Sequence, residues 1–210
     1  MRLRLFFVLL GAVGVVATFT YPLWYAALEN TTTAVTFPGV PAHLQESFAA
    51  LPQEQQAAFM AILAEDANMG AARITAALAP QSIVPEDQQE PPPLDAAQQV
   101  ASGTFVQIDV IHWAQGRVVV YQRPDNSKVL RFEDFQSANA PDLRVILSTS
   151  RSPRTQEDVE LNNRHIELGL LQGTIGNQNY EIPPEVDISE YNSVVIYSRS
   201  FNIVISTANI

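Results

Sequence analysis

The second half of the chain carries no helical period. From Gly103 onward, short runs rich in Val, Ile, Thr, Phe and Tyr follow one another: "TFVQIDVIHW", "RVVVYQ", "KVLRFEDF", "LRVILST", "IELGLLQG", "VVIYS" and "FNIVIS". Loops of Asn, Pro, Gly and Asp separate them, and β-branched and aromatic residues between such breakers read as strands. Within "RPDNSK", Pro124, Asp125 and Asn126 supply turn chemistry for a hairpin. About seven short strands with no helix between them confine this half to an antiparallel sandwich or barrel.

The last two runs pose a problem of parity. Val194, Ile196 and Ser198 share one face of an extended chain, but past Arg199 the apolar set becomes Phe201, Ile203 and Ile205. Either the strand carries a bulge near Arg199 and Ser200, or the chain turns there. A bulge would point the Ser198 hydroxyl inward among branched aliphatics.

The chain has 210 residues, 47% of them hydrophobic, enough for a packed core. There is no cysteine, which excludes disulfides, thiolate metal sites, iron-sulfur clusters and a thiol nucleophile. Twelve basic residues stand against twenty-two acidic ones, a formal net charge of -10. Such a chain repels phosphate backbones, so nucleic acid is not an expected partner.

The first half divides into four segments. Leu5 to Leu28 holds no charged side chain, a run longer than the roughly 20 residues that cross a bilayer as a helix. Arg2 and Arg4 precede it, and Tyr21, Trp24 and Tyr25 lie at its far end, where amphipathic rings favour headgroups. Residues 1–28 are therefore expected to be a single-pass signal-anchor helix in the cell membrane. Its N-terminus would be cytoplasmic and the remaining chain outside; a cleaved signal peptide is the competing reading. Residues 29–40 read as a tether. Residues 41–79 are rich in Ala, Gln and Glu, with Leu44, Phe48, Leu51 and then Phe59, Ile62, Leu63 at helical spacing. They predict two or three short helices, with Pro52 in a first turn and Asn68 starting the last, serving as a spacer or as a docking surface. Residues 80–99 contain five prolines and read as an extended linker to a β-domain at 100–210.

Motifs of catalysis are absent. No HExxH, GxSxG, P-loop, GxGxxG after a strand or DxDxDG calcium loop occurs. The histidines His43, His112 and His165 fall in no metal-ligand spacing. Asp109 and His112, three apart on an expected strand, would face opposite sides. In "GTIGNQNY", Gly173 and Gly176 are expected at positive φ, with Asn177 or Asn179 bonding its own backbone in a tight turn. The chain is accordingly read as non-enzymatic, with no metal and no cofactor expected.

The run "LGLLQGTIGNQNYEIPPEVDISEYNSVVIYSRSF", with "GTFVQIDVIHWAQGRVVVY" and "LRFEDFQSANAPDLRVILS", resembles the DM-thirteen domain, also called the electron-transfer DM domain. The likeness covers roughly residues 100–210, and its most specific part is G-x-x-G-x-Q-N-Y-x-I-P. It implies an extracellular or cell-surface β-sandwich-like domain, often anchored by one membrane helix and sometimes found beside DOMON and cytochrome modules. The family's proposed electron transfer centres on a cysteine in a late "VVIWC" strand. Here Ser198 holds that position, and Ala140 stands where the family tends to have Gly in "NGPDL". A hydroxyl forms no thiolate at neutral pH and ligates no soft metal.

Together these features predict a membrane-anchored, mainly β, DM-thirteen protein that binds a surface or envelope partner without catalysis. The expected binding loops carry Asp134, Asn139, Asp142, Gly173, Gly176, Asn177, Gln178, Asn179 and Tyr180. The alternative is electron transfer, where a haem would find only His112 and His165 as axial ligands within the domain.

Overall fold

The computed structural model of the chain describes residues 20–21, 36–91, 97–160 and 165–210. Most of the expected anchor and tether lies outside the described residues. Thr20 and Tyr21 are helical and belong to a unit separate from Pro38–Ile210. Among the described residues no helix is long and apolar enough to cross a membrane.

The Ala-rich segment forms α1 (Gln45–Ala49), α2 (Gln53–Glu65) and α3 (Ala67–Ala77). Pro52 sits just ahead of α2 at φ -54, fixing the entry angle at the residue before the first turn. Asn68 does not start α3. The Asp66 side chain does, accepting from the Asn68 and Met69 N–H groups at 2.9 Å each. Phe48 and Ile74 are wholly buried, and the Phe48 and Phe59 rings lie 6.2 Å apart.

Eight strands follow: β1 (Gln98–Val106), β2 (Ala114–Gln122), β3 (Lys128–Ser137), β4 (Leu143–Ser148), β5 (His165–Leu170), β6 (Gln178–Ile182), β7 (Ser193–Ser198) and β8 (Ile203–Asn209). Among the described residues one short α-helix, α4 (Gln156–Glu160), and a 3-10 turn, Ile188–Glu190, interrupt them, where the sequence suggested no helix. Every strand pairing is antiparallel, in the order β5-β4-β7-β8-β1-β2-β3-β6. The sheet folds over at β1, whose first part pairs with β2 and whose end, Phe105 and Val106, pairs with β8. Its two edge strands, β5 and β6, approach each other, so the sheet is a nearly closed barrel. Gly103 permits the fold: a Cβ there would lie 1.9 Å from the Asn209 carbonyl oxygen.

The core sits inside that closure. Phe105, Phe132 and Phe135 form an aromatic cluster with centroids 4.9 to 5.2 Å apart, and Val118, Val120, Leu130, Leu147, Val194 and Ile196 are fully buried around it. A second, smaller cluster of Ile146, Val159, Val195 and Val204 covers the outer face. The expected hairpin at Pro124–Asn126 is present: Asn126 takes φ 66, and Asp125 Oδ1 accepts from the Ser127 N–H.

The parity problem resolves by both devices at once. Residues 199–202 turn the chain, with Asn202 at φ 59, and a bulge lies in β8 rather than near Arg199. Ile196 pairs with Ser206 but Tyr197 with Val204, so Ile205 is the extra residue.

Two readings of the sequence change. "TFVQIDVIHW" is not one strand, because β1 ends at Val106 and residues 107–113 form a loop. The Asp109 carboxylate organises it, accepting from the Ile111 and His112 N–H groups at 2.9 and 2.8 Å. The described part of the proline-rich stretch before β1, residues 80–91, makes a 3-10 turn at Glu86–Gln88 instead of running extended throughout, and it is fastened to the barrel as a strap. Ser82 and Thr174 exchange hydrogen bonds, the Val84 N–H donates to the Ile175 carbonyl at 2.9 Å, and the Val84 side chain is 1% exposed.

Candidate functional site

The family-cysteine position closes β7. Ser198 is fully buried, and its hydroxyl donates to the Pro141 carbonyl at 2.7 Å while accepting a longer bond, 3.4 Å, from the Phe201 N–H. Its partners are backbone groups of two turns, not imidazoles. Beside it the Arg199 N–H donates to the Asp142 carbonyl at 3.1 Å. Ser198 thus laces the 138–142 turn to the 199–202 turn. The left-handed residue of the first turn is Asp142, at φ 48, and Ala140 keeps negative φ; no glycine is required at 140 here.

These turns form one wall of a narrow cleft. Asn139, Ala140, Phe201, Ile203 and Ile205 line it from the barrel, and Phe59, Arg73 and Ala77 from α2 and α3. Ile111 and His112 of the 107–113 loop complete it. An adjoining, roomier cleft shares Phe59, Ala77, Ile111 and Asn139 and continues over Leu51 and Trp113.

Asp109 and His112, expected on opposite faces, are in contact: His112 Nδ1 lies 2.6 Å from Asp109 Oδ2. The turn brings i and i+3 together where a strand would part them. Burial alone would raise the Asp109 carboxyl, but its bonds to the His112 ring and to two backbone N–H groups outweigh that and hold it below the ordinary carboxylate value. Arg73 faces the same cleft with its guanidinium 5.8 Å from the Phe201 ring centroid. Burial lowers its pKa, opposed by the charges of Asp109 and Glu65.

The expected loop residues separate into two places. Asn139 and Asp142 stand at the cleft: Asn139 Nδ2 reaches the Ala79 and Pro80 carbonyls at 3.3 and 3.4 Å, and the Asp142 carboxylate lies 2.7 Å from Arg144. Arg144 and Glu167 extend this ion-pair chain to Arg199. The others gather around the strap. Gly176 takes φ 113, as expected, whereas Gly173 is required for a different reason, since a Cβ would lie 2.8 Å from the Val84 nitrogen. Asn177 and Asn179 do not bond their own backbone. Asn177 Oδ1 accepts from the Asp134 N–H, Asn179 Oδ1 accepts from Arg131, and Asn179 Nδ2 donates to the Glu90 carbonyl.

Gln178 is wholly buried among these groups. Its Oε1 accepts from the Gln172 N–H and from the Tyr180 hydroxyl at 2.6 Å, and its Nε2 donates to the Gly173 carbonyl at 3.0 Å. Burial pushes the Tyr180 phenol upward, partly opposed by the Gln172 N–H. The side chains of Thr174, Asn177, Gln178, Asn179 and Tyr180 therefore each have an internal partner.

Sequence reasoning missed Arg73, Phe201 and the Asp109–His112 pair as site residues. One signal was available, because Arg73 is the only Lys or Arg between Arg4 and Arg117. A haem fits the residues poorly. The cleft offers one imidazole, His112, while His165 is exposed at the start of edge strand β5. Among the described residues no three His, Cys, Asp or Glu side chains group as metal ligands.

A family model described as electron transfer DM13 matches residues 104–210. No curated protein and no solved structure matches the chain. The match begins in β1, takes in every later strand and includes the strap-holding turn and Ser198. The chain belongs to the electron-transfer DM13 domain family.

Proposed function

We propose that this chain is a non-catalytic binding member of its family, displayed outside the cytoplasm on a single-pass anchor and contacting a surface or envelope partner. The observation that carries this reading is the Ser198 hydroxyl. At the family's redox position it is fully buried and donates to the Pro141 carbonyl at 2.7 Å, a role in holding two turns together. An unpaired hydroxyl there would be unfavourable by about 1 to 3 kcal/mol, so the bond makes serine a stable occupant. The uncharged run behind Arg2 and Arg4 supports the placement.

Electron transfer remains the second reading, favoured by the family's description and by one contact. A carboxylate on Nδ1, as Asp109 gives His112, is the usual orienting partner of a metal-ligating histidine and leaves Nε2 for a ligand. An absorption spectrum of the full chain purified from its own membranes, oxidised and then reduced, separates the two. The binding reading expects aromatic absorption alone, unchanged by dithionite. A Soret band that moves on reduction would overturn it.

A further inference from the structure

The cleft between the α2–α3 pair and the barrel holds a half-buried cation with one buried nitrogen left unpartnered. Arg73 Nε is buried with no hydrogen-bond partner, and among the described residues its guanidinium makes no ion pair. A buried, unpartnered donor is unfavourable, more so when charged, so this arrangement sacrifices stability unless something completes it. Asp109 is the near carboxylate, but its oxygens are already engaged by the His112 ring and two backbone N–H groups. Phe201 supplies a ring face beside the guanidinium, and Phe59, Ile111, Ile203 and Ile205 supply apolar wall.

From this geometry we propose that the cleft binds a small apolar carboxylate, its carboxylate on the Arg73 fork and its hydrocarbon body against Phe59, Ile111 and Phe201. Arginine matches a carboxylate with two parallel N–H bonds, a geometry that a lysine point charge lacks. The Arg73 cation already feels the Asp109 and Glu65 carboxylates, so the cleft suits at most a single added negative charge, and apolar walls disfavour a hydrated phosphate dianion. The adjoining cleft over Leu51 and Trp113 gives the body room to extend. The same chemistry ends a free organic acid and the C-terminus of a peptide with an apolar last residue. The inference deepens the binding reading above and rests on it.

The test is isothermal titration of the full chain in detergent with benzoate and with its neutral isostere benzamide. Saturable benzoate binding is expected, with benzamide at least about tenfold weaker and Arg73→Gln weakening benzoate by at least about tenfold. Ala77→Leu, which fills the cleft and leaves the cation in place, is expected to abolish benzoate binding with the circular dichroism unchanged. A tripeptide ending in Phe, compared with its C-terminal amide, tells the sources apart: acid-selective binding tighter than benzoate assigns a chain terminus, and weaker binding a free acid. Equal affinity for benzoate and benzamide, full affinity in Ala77→Leu, or no saturable binding by the native chain would overturn the inference. In that last case a colourless protein leaves the binding reading standing, whereas a Soret band removes both.

Discussion

Two segments that both carry Asn, 138–142 and 173–180, the second running into β6, are fastened unequally. In the second, Gln178, Asn177, Asn179 and Tyr180 direct their side chains to the strap, to β3 and to each other. In the first, Asn139 makes two long bonds to backbone and stands in a cleft opposite a guanidinium with an unpartnered nitrogen. The difference teaches that Asn and Gly in a loop do not themselves mark a binding surface. What distinguishes a site is hydrogen-bonding capacity that the fold leaves unused.

The contrast can be broken first at Gln178. Gln178→Leu removes the bonds to Gln172, Tyr180 and Gly173 and a longer one to Gly176, leaving the buried Tyr180 hydroxyl without its acceptor and the Gly173 carbonyl without its donor, so urea unfolding should show a loss of about 3 kcal/mol. A loss below about 0.5 kcal/mol would mean that the turn is not the fastening described here. Ser198→Ala should lose about 1 to 2 kcal/mol by the same measurement, because the Pro141 carbonyl loses its donor and the tie between the two turns goes with it.

A third expectation concerns pH. The folded-state Asp109 carboxyl titrates below its unfolded value, so its contribution to stability is complete at neutral pH and is lost as pH falls below about 4. Thermal melts of Asp109→Asn should therefore lose less between pH 7 and pH 3 than those of the native chain; an equal or larger loss would contradict the contact. The smallest effect belongs to Asn139→Ala, expected to change stability by less than about 0.5 kcal/mol, since its bonds are long and exposed.

Seven of the eight strands were legible in the sequence because each reports its own β-rich run, and local chemistry fixed the hairpin at Pro124–Asn126; β6, "QNYEI", was not, because its polar residues read as part of a turn. The family resemblance brought Ser198 into view. What the sequence hid were contacts between distant segments. Nothing local in "PQSIV" announces that Ser82 meets Thr174, and proline suggests only an extended chain, which a strap and a free linker share. Asp109 and His112 were misplaced because "FVQIDVIHW" keeps β-rich composition through a loop, where the Asp109 side chain competes with the ladder for backbone N–H groups. Arg73 was passed over because a charged residue on a helix is usually a solvated one.

Native-state amide hydrogen exchange on the full chain tests the contrast most directly. The Gln172, Thr174 and Gly176 amides, bonded to Gln178, Ser82 and Phe135, should exchange only with global unfolding. The Phe201 amide, held at 3.4 Å by Ser198, should exchange far faster. Equal protection in the two turns, or slower exchange at Phe201, would show that the fold fastens both alike and would contradict the account.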